Sequence, residues 1–389
     1  MRDVAVIGVG MTKFGELWEQ SLRDLITEAG MKAIADANLS GSDIDGAYVG
    51  TMSAGKFVGQ EHIAPLVVDM AGLSNTHIPA VRVEAGDASG SVAFREAYLA
   101  VASGAHELVI AGGVEKMTDV SSSQMVNIQS TSCDQEWEAF FGASMSSLYG
   151  MMARAHMHRY GTTREQLAAV AVKNHANGVL NPNARFKFPI KPEDVLKAGM
   201  VADPLTTYDC APASDGAAAV ILCSMERARK FTDKPIRIAA SVQASDTIAL
   251  HDRRDICTMD SVVLAAKKAY AQAGITAEKV NLAEVHDAYT IGEIMAIEDL
   301  GFAEKGKGGI AAASGETALT GRIPINTSGG MKARGHPLGA TGIAQIIEIV
   351  DQLKGRAGGR QVKDAKFGLA QSVGGTGATA VVNILEGGL

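Results

Sequence analysis

Short β-branched runs that end in glycine alternate, along this chain, with longer stretches whose apolar residues recur at helical spacing. Residues 4–10 (VAVIGVG) read as a buried strand. Residues 21–37 follow as an amphipathic helix with Ser21 placed to cap its N-terminus. Residues 46–52 are the next strand and 62–72 the next helix. The sharpest change lies within residues 80–104, where an apolar run stops at Gly86-Asp87-Ala88-Ser89-Gly90 and a helical pattern begins at once. Residues 107–113 (ELVIAGG) return to strand. This alternation predicts an α/β fold built on a doubly wound, mostly parallel sheet.

From about residue 118 the pattern changes. Residues 119–135 are rich in Ser, Gln and Asp, and helical patterns at 143–160 and 162–180 precede the polar stretch NPNARFKFPIKPEDV. The segment 118–205 reads as an insertion that covers a site. Core-strand texture resumes at 214–224, and 226–235 reads as a linker. The first pattern then restarts, with a strand at 236–246, a helix at 260–273, a strand at 280–286 and a helix at 291–300. Residues 324–353 supply a glycine-rich loop carrying His336 and then a long helix. Two strands in 366–385 flank Gly374-Gly375-Thr376-Gly377. Both halves thus run strand, helix, strand, helix N-terminus in one order, which implies an internal duplication. A pseudo-twofold axis would bring Asp87 and His336 face to face. The expected division is 1–117 with 206–232, an inserted domain at 118–205, and 233–389.

Composition narrows the function classes. With 389 residues and 47% hydrophobic content the chain can bury a large core. A net charge of −7 without a basic block argues against nucleic acid and against an anionic membrane surface. Cys133, Cys210, Cys223 and Cys257 lie far apart with no CxxC pair, which weighs against disulfides and a zinc site and fits a reducing cytoplasm. No apolar run reaches the length of a membrane span. Gly8-Val9-Gly10 lacks the third glycine and acidic ligand of a dinucleotide fingerprint.

Four stretches carry candidate chemistry. The elbow puts Asp87 at a helix N-terminus, where backbone N–H groups favour an anion. His286, in HDAYT, follows an apolar run; it is either a partly buried structural histidine or a ligand-site residue at a strand's C-terminal end. GHPLGATG fixes a rigid loop around His336, a use of backbone that points to function. SVGGTG at 372–377 is either an ordinary glycine hairpin or a set of N–H groups forming an oxyanion hole. The methionines of 145–157 read as packing of a lid.

Taken in this order, GHPLGATG and HDAYT, with AGGVEKMTD and PASDGAAAVIL, resemble the thiolase superfamily over essentially the whole chain, most of all the archaeal and sterol-carrier-protein-type thiolases. The resemblance implies two βαβαβαββ halves forming a layered α-β-α-β-α core, with an inserted loop domain that binds coenzyme A. It implies an acyl-CoA C-acyltransferase, or a thiolase-like aldolase, that uses a coenzyme A thioester as substrate with no bound cofactor and no metal. The family's nucleophilic cysteine, usually in CASG, falls on Asp87; its second cysteine falls on Ser372; the cysteine of the HDCF variant falls on Ala288. His286 and His336 match the oxyanion-hole and nucleophile-activating residues. Tyr289, where the family usually has Phe, adds a proton donor. Gly374 and the Asp87 backbone complete the implied oxyanion hole, and Gly375 and Met117 the implied substrate site. A homodimer or dimer of dimers, a small zinc-ribbon/OB-fold partner protein and hydroxymethylglutaryl-CoA synthase are implied as partners. The alternative is a thiolase-fold subunit that binds acyl-CoA or scaffolds a complex.

Overall fold

The computed structural model describes residues 2–388. Its first half runs β1 (Val4–Met11), α1 (Leu22–Asp36), β2 (Gly46–Gly50), α2 (Ala54–Val58), α3 (Ile63–Met70), β3 (Ala80–Val83), α4 (Ser89–Ser103) and β4 (Leu108–Glu115). Next come α5 (Ser122–Gln129), α6 (Met145–Tyr160), α7 (Arg164–Val179), α8 (Pro192–Lys197) and the small hairpin β5 (Met200–Ala202) and β6 (Leu205–Thr206). The chain returns to the first half with β7 (Gly216–Ser224) and leaves it through α9 (Met225–Ala228). The second half runs β8 (Ile236–Ser245), α10 (Asp260–Ala273), β9 (Leu282–Glu284), α11 (Thr290–Asp299), α12 (Gly308–Ala313), α13 (Gly330–Arg334), α14 (Leu338–Lys354), β10 (Phe367–Gly374) and β11 (Thr379–Glu386). Ser21 caps α1 as expected, its hydroxyl accepting the Asp24 N–H while the Asp24 carboxylate returns to the Ser21 N–H.

Nine strands form one sheet in the order β3-β2-β4-β7-β1-β8-β11-β10-β9. Read outward from the central β1–β8 pair, the two sides mirror each other: β7 corresponds to β11, β4 to β10 and β2 to β9. The place of β3 is taken in the second half by Ile325, which bridges Ala283 in parallel. The duplication inferred from the strand–helix order is therefore present in the sheet.

The sheet is mixed, whereas the strand–helix alternation predicts a mostly parallel one. Only β2 with β3, β2 with β4, and β9 with β10 pair in parallel. The pairs β1–β7, β4–β7, β1–β8, β8–β11 and β10–β11 are antiparallel. Hydrophobic periodicity marks a strand but not the direction of its neighbour. β10 and β11 are joined by a tight turn, which can only return the chain antiparallel. β1 and β8 meet at a local twofold, which also sets equivalent strands antiparallel.

α4 and α14 pack side by side against strands of both halves and form the central helical layer, while α1 and α10 cover the outer faces. Their approach depends on glycine. A Cβ on Gly90 near the start of α4 would strike the Gly339 carbonyl oxygen at the start of α14, and Gly339 in turn lies against the carbonyls of Gly50 and Val114. This backbone-to-backbone contact brings the N-termini of the two central helices together. Among the described residues no helix is long and apolar enough to cross a membrane.

Candidate active site

Asp87 sits on the turn between β3 and α4. Gly86 takes a φ of +58°, and a Cβ there would press on Gly374 and Gly375 of the second half at 3.3 Å. Ser89 locks the elbow: its hydroxyl donates to the Gly86 carbonyl at 2.6 Å and accepts the Ala85 N–H at 2.9 Å. The Asp87 side chain is thereby held in the interior, with the residue only 8% exposed.

Two histidines meet it from the second half. Gly335 ends α13 with a φ of +110° and turns His336 inward. The Thr341 hydroxyl donates to the Pro337 carbonyl at 2.9 Å, so at 2.7 Å from His336 Nδ1 it acts as acceptor and Nδ1 carries the hydrogen. Neutral His336 therefore has its lone pair on Nε2, which lies 3.4 Å from Asp87 Oδ2. His286 follows β9 with its backbone N–H donated to Gln371 Oε1 at 2.8 Å. Its Nδ1 accepts the Val373 N–H at 3.4 Å, which leaves the hydrogen on Nε2, 3.7 Å from the same Asp87 oxygen. The two rings stand nearly perpendicular, 5.4 Å apart. Neither Nε2 has a hydrogen-bond partner among the described residues. The site thus offers one imidazole as donor and one as acceptor.

Electrostatics follow from this packing. Burial works to raise the Asp87 pKa, but the contacts with His286 and His336 outweigh it and hold the carboxyl well below the usual range. Burial pushes the His286 imidazole below its ordinary value, against the opposing pull of Asp87. Asp87, His286 and His336 could bracket a cation by distance alone. A nitrogen that carries hydrogen is no metal ligand, however, and the Val373 N–H fixes His286 in that form. The trio as it stands suits acid–base chemistry.

Asp87 and His336 open on a cavity of about 150 Å³ whose other walls include Gln129, Met145, Ser146, Ala288 and Tyr289. The segment expected to cover a site does contribute Met125, Gln129, Met145 and Ser146 to this wall. Tyr289 stacks on Tyr149 with ring centroids 4.4 Å apart. The Tyr149 hydroxyl donates to the Gly375 carbonyl at 3.0 Å, tying the aromatic pair to the Gly374–Gly377 turn. Ser372 lies on β10, fully buried, with its hydroxyl unpartnered. Met117 does not reach the cavity. It is wholly buried beside Met52, Phe57, Ile128 and Leu338, and its N–H donates to Asp215 at 2.6 Å, so its place is in the packing behind the site.

Several neighbours escape sequence reasoning. Thr341 sets the His336 tautomer from within GHPLGATG, and Gln371 and Val373 orient His286 from β10. Ser146 and Tyr149, three apart on α6, lie in the methionine-rich helix that reads only as lid packing. Their i, i+3 spacing on one helical face is the signal that could have found them.

Comparison with known proteins agrees with this architecture. Residues 4–226 match the family described as thiolase, N-terminal domain, and residues 242–387 match thiolase C-terminal domain-like. Over 386 residues the chain is 58% identical to an acetyl-CoA acetyltransferase of Methanothermobacter thermautotrophicus, covering 99% of this chain and 100% of that one. It is 35% identical over 396 residues to human sterol carrier protein 2, covering 98% of this chain and 71% of that protein. A solved structure titled Ltp2-ChsH2(DUF35) aldolase superposes with a TM-score of 0.84 at 27% identity, covering 98% of this chain and 97% of that one. A duplicated, layered α/β core with its site between the halves defines a class of acyl-CoA enzymes. This chain belongs to the thiolase family, and relatives that match it over its whole length are acetyl-CoA acetyltransferases, which makes it an acyl-CoA C-acyltransferase-family enzyme.

Proposed function

We propose that this enzyme makes or breaks a carbon–carbon bond next to a coenzyme A thioester by an aldol-type route without an acyl-enzyme. The observation that carries this reading is the Asp87 carboxylate held 3.4 Å from His336 Nε2, at the position the family resemblance gives to a cysteine. A carboxylate kept so far below its ordinary pKa is a poor nucleophile, and its attack on a thioester would give a mixed anhydride, uphill and prone to hydrolysis. It is an effective counter-ion for an imidazolium.

In the cleavage direction, the thioester oxygen of a β-hydroxyacyl-CoA accepts the His286 Nε2–H and the backbone N–H groups of Asp87 and Gly374. His336 Nε2 takes the β-hydroxyl proton while Asp87 stabilises the imidazolium that results. The bond between the α and β carbons breaks, a carbonyl compound leaves, and the electron pair becomes an enolate on the thioester. His336 then returns its proton to the α carbon. General acid–base catalysis of this kind contributes roughly 10²–10⁴-fold.

The test is to incubate the purified protein with β-hydroxyacyl-CoA thioesters and, separately, with acetoacetyl-CoA plus coenzyme A. Cleavage of the first to acetyl-CoA and an aldehyde is expected. Acetyl-CoA formed from the second, undiminished in Asp87→Asn, would sink the aldol route.

A second reading, a subunit that binds acyl-CoA within a complex, draws on the absence of a thiol at residues 87, 288 and 372. Activity that appears only with a partner would favour a joint enzyme over a scaffold. The similar solved structure, an Ltp2-ChsH2(DUF35) aldolase, is named for two components, in keeping with a small zinc-ribbon/OB-fold partner here.

A further inference from the structure

Arg253 is a buried cation that the acid–base route described above does not use. It lies between β8 and α10, and its side chain is fully buried. Among the described residues no carboxylate hydrogen-bonds to it: Asp246 Oδ2 stands 3.8 Å from its Nε, and both atoms lack a partner. The guanidinium is spent instead on a neutral turn. Its two terminal nitrogens donate to the Thr376 carbonyl at 2.6 Å and to the Thr376 hydroxyl at 3.1 Å. A charge withdrawn from water costs more than such neutral acceptors return, so packing alone is a poor reason to keep it there.

The peptide units of the turn line up behind that contact. The Gly377 N–H, in the same peptide as the Thr376 carbonyl, donates to the Gly374 carbonyl at 3.1 Å. The Gly374 carbonyl shares its peptide with the Gly375 N–H, which has no acceptor among the described residues although Gly375 is buried. That nitrogen borders the Asp87 elbow, since a Cβ on Gly86 would lie 3.3 Å from it. Two peptide dipoles are thus joined head to tail, with a cation at one end and an unused donor at the other. Each bond in such a chain polarises the next. Ser261 fastens the same turn through the Gly377 carbonyl at 2.6 Å, and Tyr149 through the Gly375 carbonyl at 3.0 Å, but neither acceptor belongs to the two peptides of this relay. We propose that Arg253 is a positioning residue: it orients the peptides of the Gly374–Gly377 turn and raises the positive potential that the turn presents at the Asp87 elbow to a bound thioester oxygen. This rests on the reading of the site as one that stabilises negative charge on that oxygen, and adds to it a fixed charge outside the cavity.

The discriminating measurement is spectroscopic and requires no turnover. Acetyl-CoA labelled with carbon-13 at its carbonyl would be bound to the full chain, and the carbonyl stretch followed in isotope-edited infrared difference spectra. Its frequency falls as the positive potential at the oxygen rises. The native chain should shift the band below its position in free ligand, and most of that shift should disappear in Arg253→Met. Ser261→Ala loosens the turn outside the relay and should retain it. With β-hydroxyacyl-CoA thioesters, Arg253→Met should lower kcat about tenfold and change KM less than about threefold, the pattern of an interaction felt mainly in the transition state. Circular dichroism and a melting curve establish that the variants fold. If Arg253→Met does not fold, Arg253→Lys, too short and single-headed to make both contacts, takes its place and should lose part of the shift. No downshift in the native chain, an equal shift in the Arg253 variant, or an equal loss in Ser261→Ala overturns the proposal. An Arg253-dependent shift without carbon–carbon cleavage by the native chain would refute the aldol route and leave this role of Arg253 standing. Failure of acetyl-CoA to bind the native chain would refute both.

Discussion

At the scale of single residues, the site is a matter of which atom carries hydrogen. Thr341 and Val373 impose opposite tautomers on two histidines that face one carboxylate oxygen. The sequence points to Asp87, His286 and His336 because each stands in a local signature, an elbow or a glycine-bounded loop. It cannot reveal Gln371, whose role exists only once distant segments meet. Met117 shows the converse failure: adjacency to a motif along the chain says nothing of which side of a wall a side chain occupies. Since the two histidines and the glycine turn are already placed, Asp87→Cys should restore what the resemblance says is missing. A thiol beside His336 would be activated and would form another thioester, a nearly balanced exchange. Acetoacetyl-CoA plus coenzyme A should then yield acetyl-CoA at least about tenfold faster than in the native enzyme, and intact-mass spectrometry should detect an acetylated chain. A variant that folds but stays inert would show that the remaining machinery is not that of acyl transfer.

At the scale of elements, the site depends on how closely α4 and α14 approach. Helix and strand positions are legible from period and glycine punctuation, and most boundaries fall within a few residues of expectation. The segment 280–286 is an exception, shrinking to the three residues of β9, because Val280 closes a 3-10 turn over Ala277–Lys279 on one side and His286 enters the site on the other. Strand direction is not legible at all, since period-two burial is the same in either direction. Two helical glycines, one inside this contact and one outside it, permit a direct test with opposite signs. Gly90→Ala would press a methyl group onto the Gly339 carbonyl and should destabilise by about 1–3 kcal/mol, the range for overpacking. Gly30→Ala, in α1 with no atom near its would-be Cβ, should stabilise by up to about 1 kcal/mol through helix propensity. Urea midpoints of the two variants should lie on either side of the native value.

At the scale of the whole molecule, buried histidines and buried carboxylates pull the response to acid in opposite directions. Burial lowers the His175 pKa to about 4, its ring packed among Phe186, Phe188 and Tyr208. The unfolded chain takes up this proton near pH 6.5, while the folded chain refuses it until about pH 4. His175 therefore contributes a loss of stability as pH drops through this window, and buried His286 acts in the same direction. Asp87 works differently: its depressed pKa stabilises above the unfolded value of about 3.9, a contribution lost only in stronger acid. The difference in unfolding midpoint between the native chain and His175→Phe should shift against the native chain from pH 7 to 4, while buried Glu284 and Asp299, held up at about 7 and about 6, work in the opposite direction in both chains.

The contact between Gly90 and Gly339 also bears on biosynthesis. Residues 87–90 leave the ribosome some 250 positions before the segment that will cover them. During that interval the first half exposes a carboxylate and the backbone around Gly90 that α14 of the second half covers in the folded chain. The contact between Asp87 and His336 cannot form in a chain that lacks its second half. Completion of synthesis is thus a built-in condition for activity, and the uncovered backbone is the surface a chaperone would need to shield.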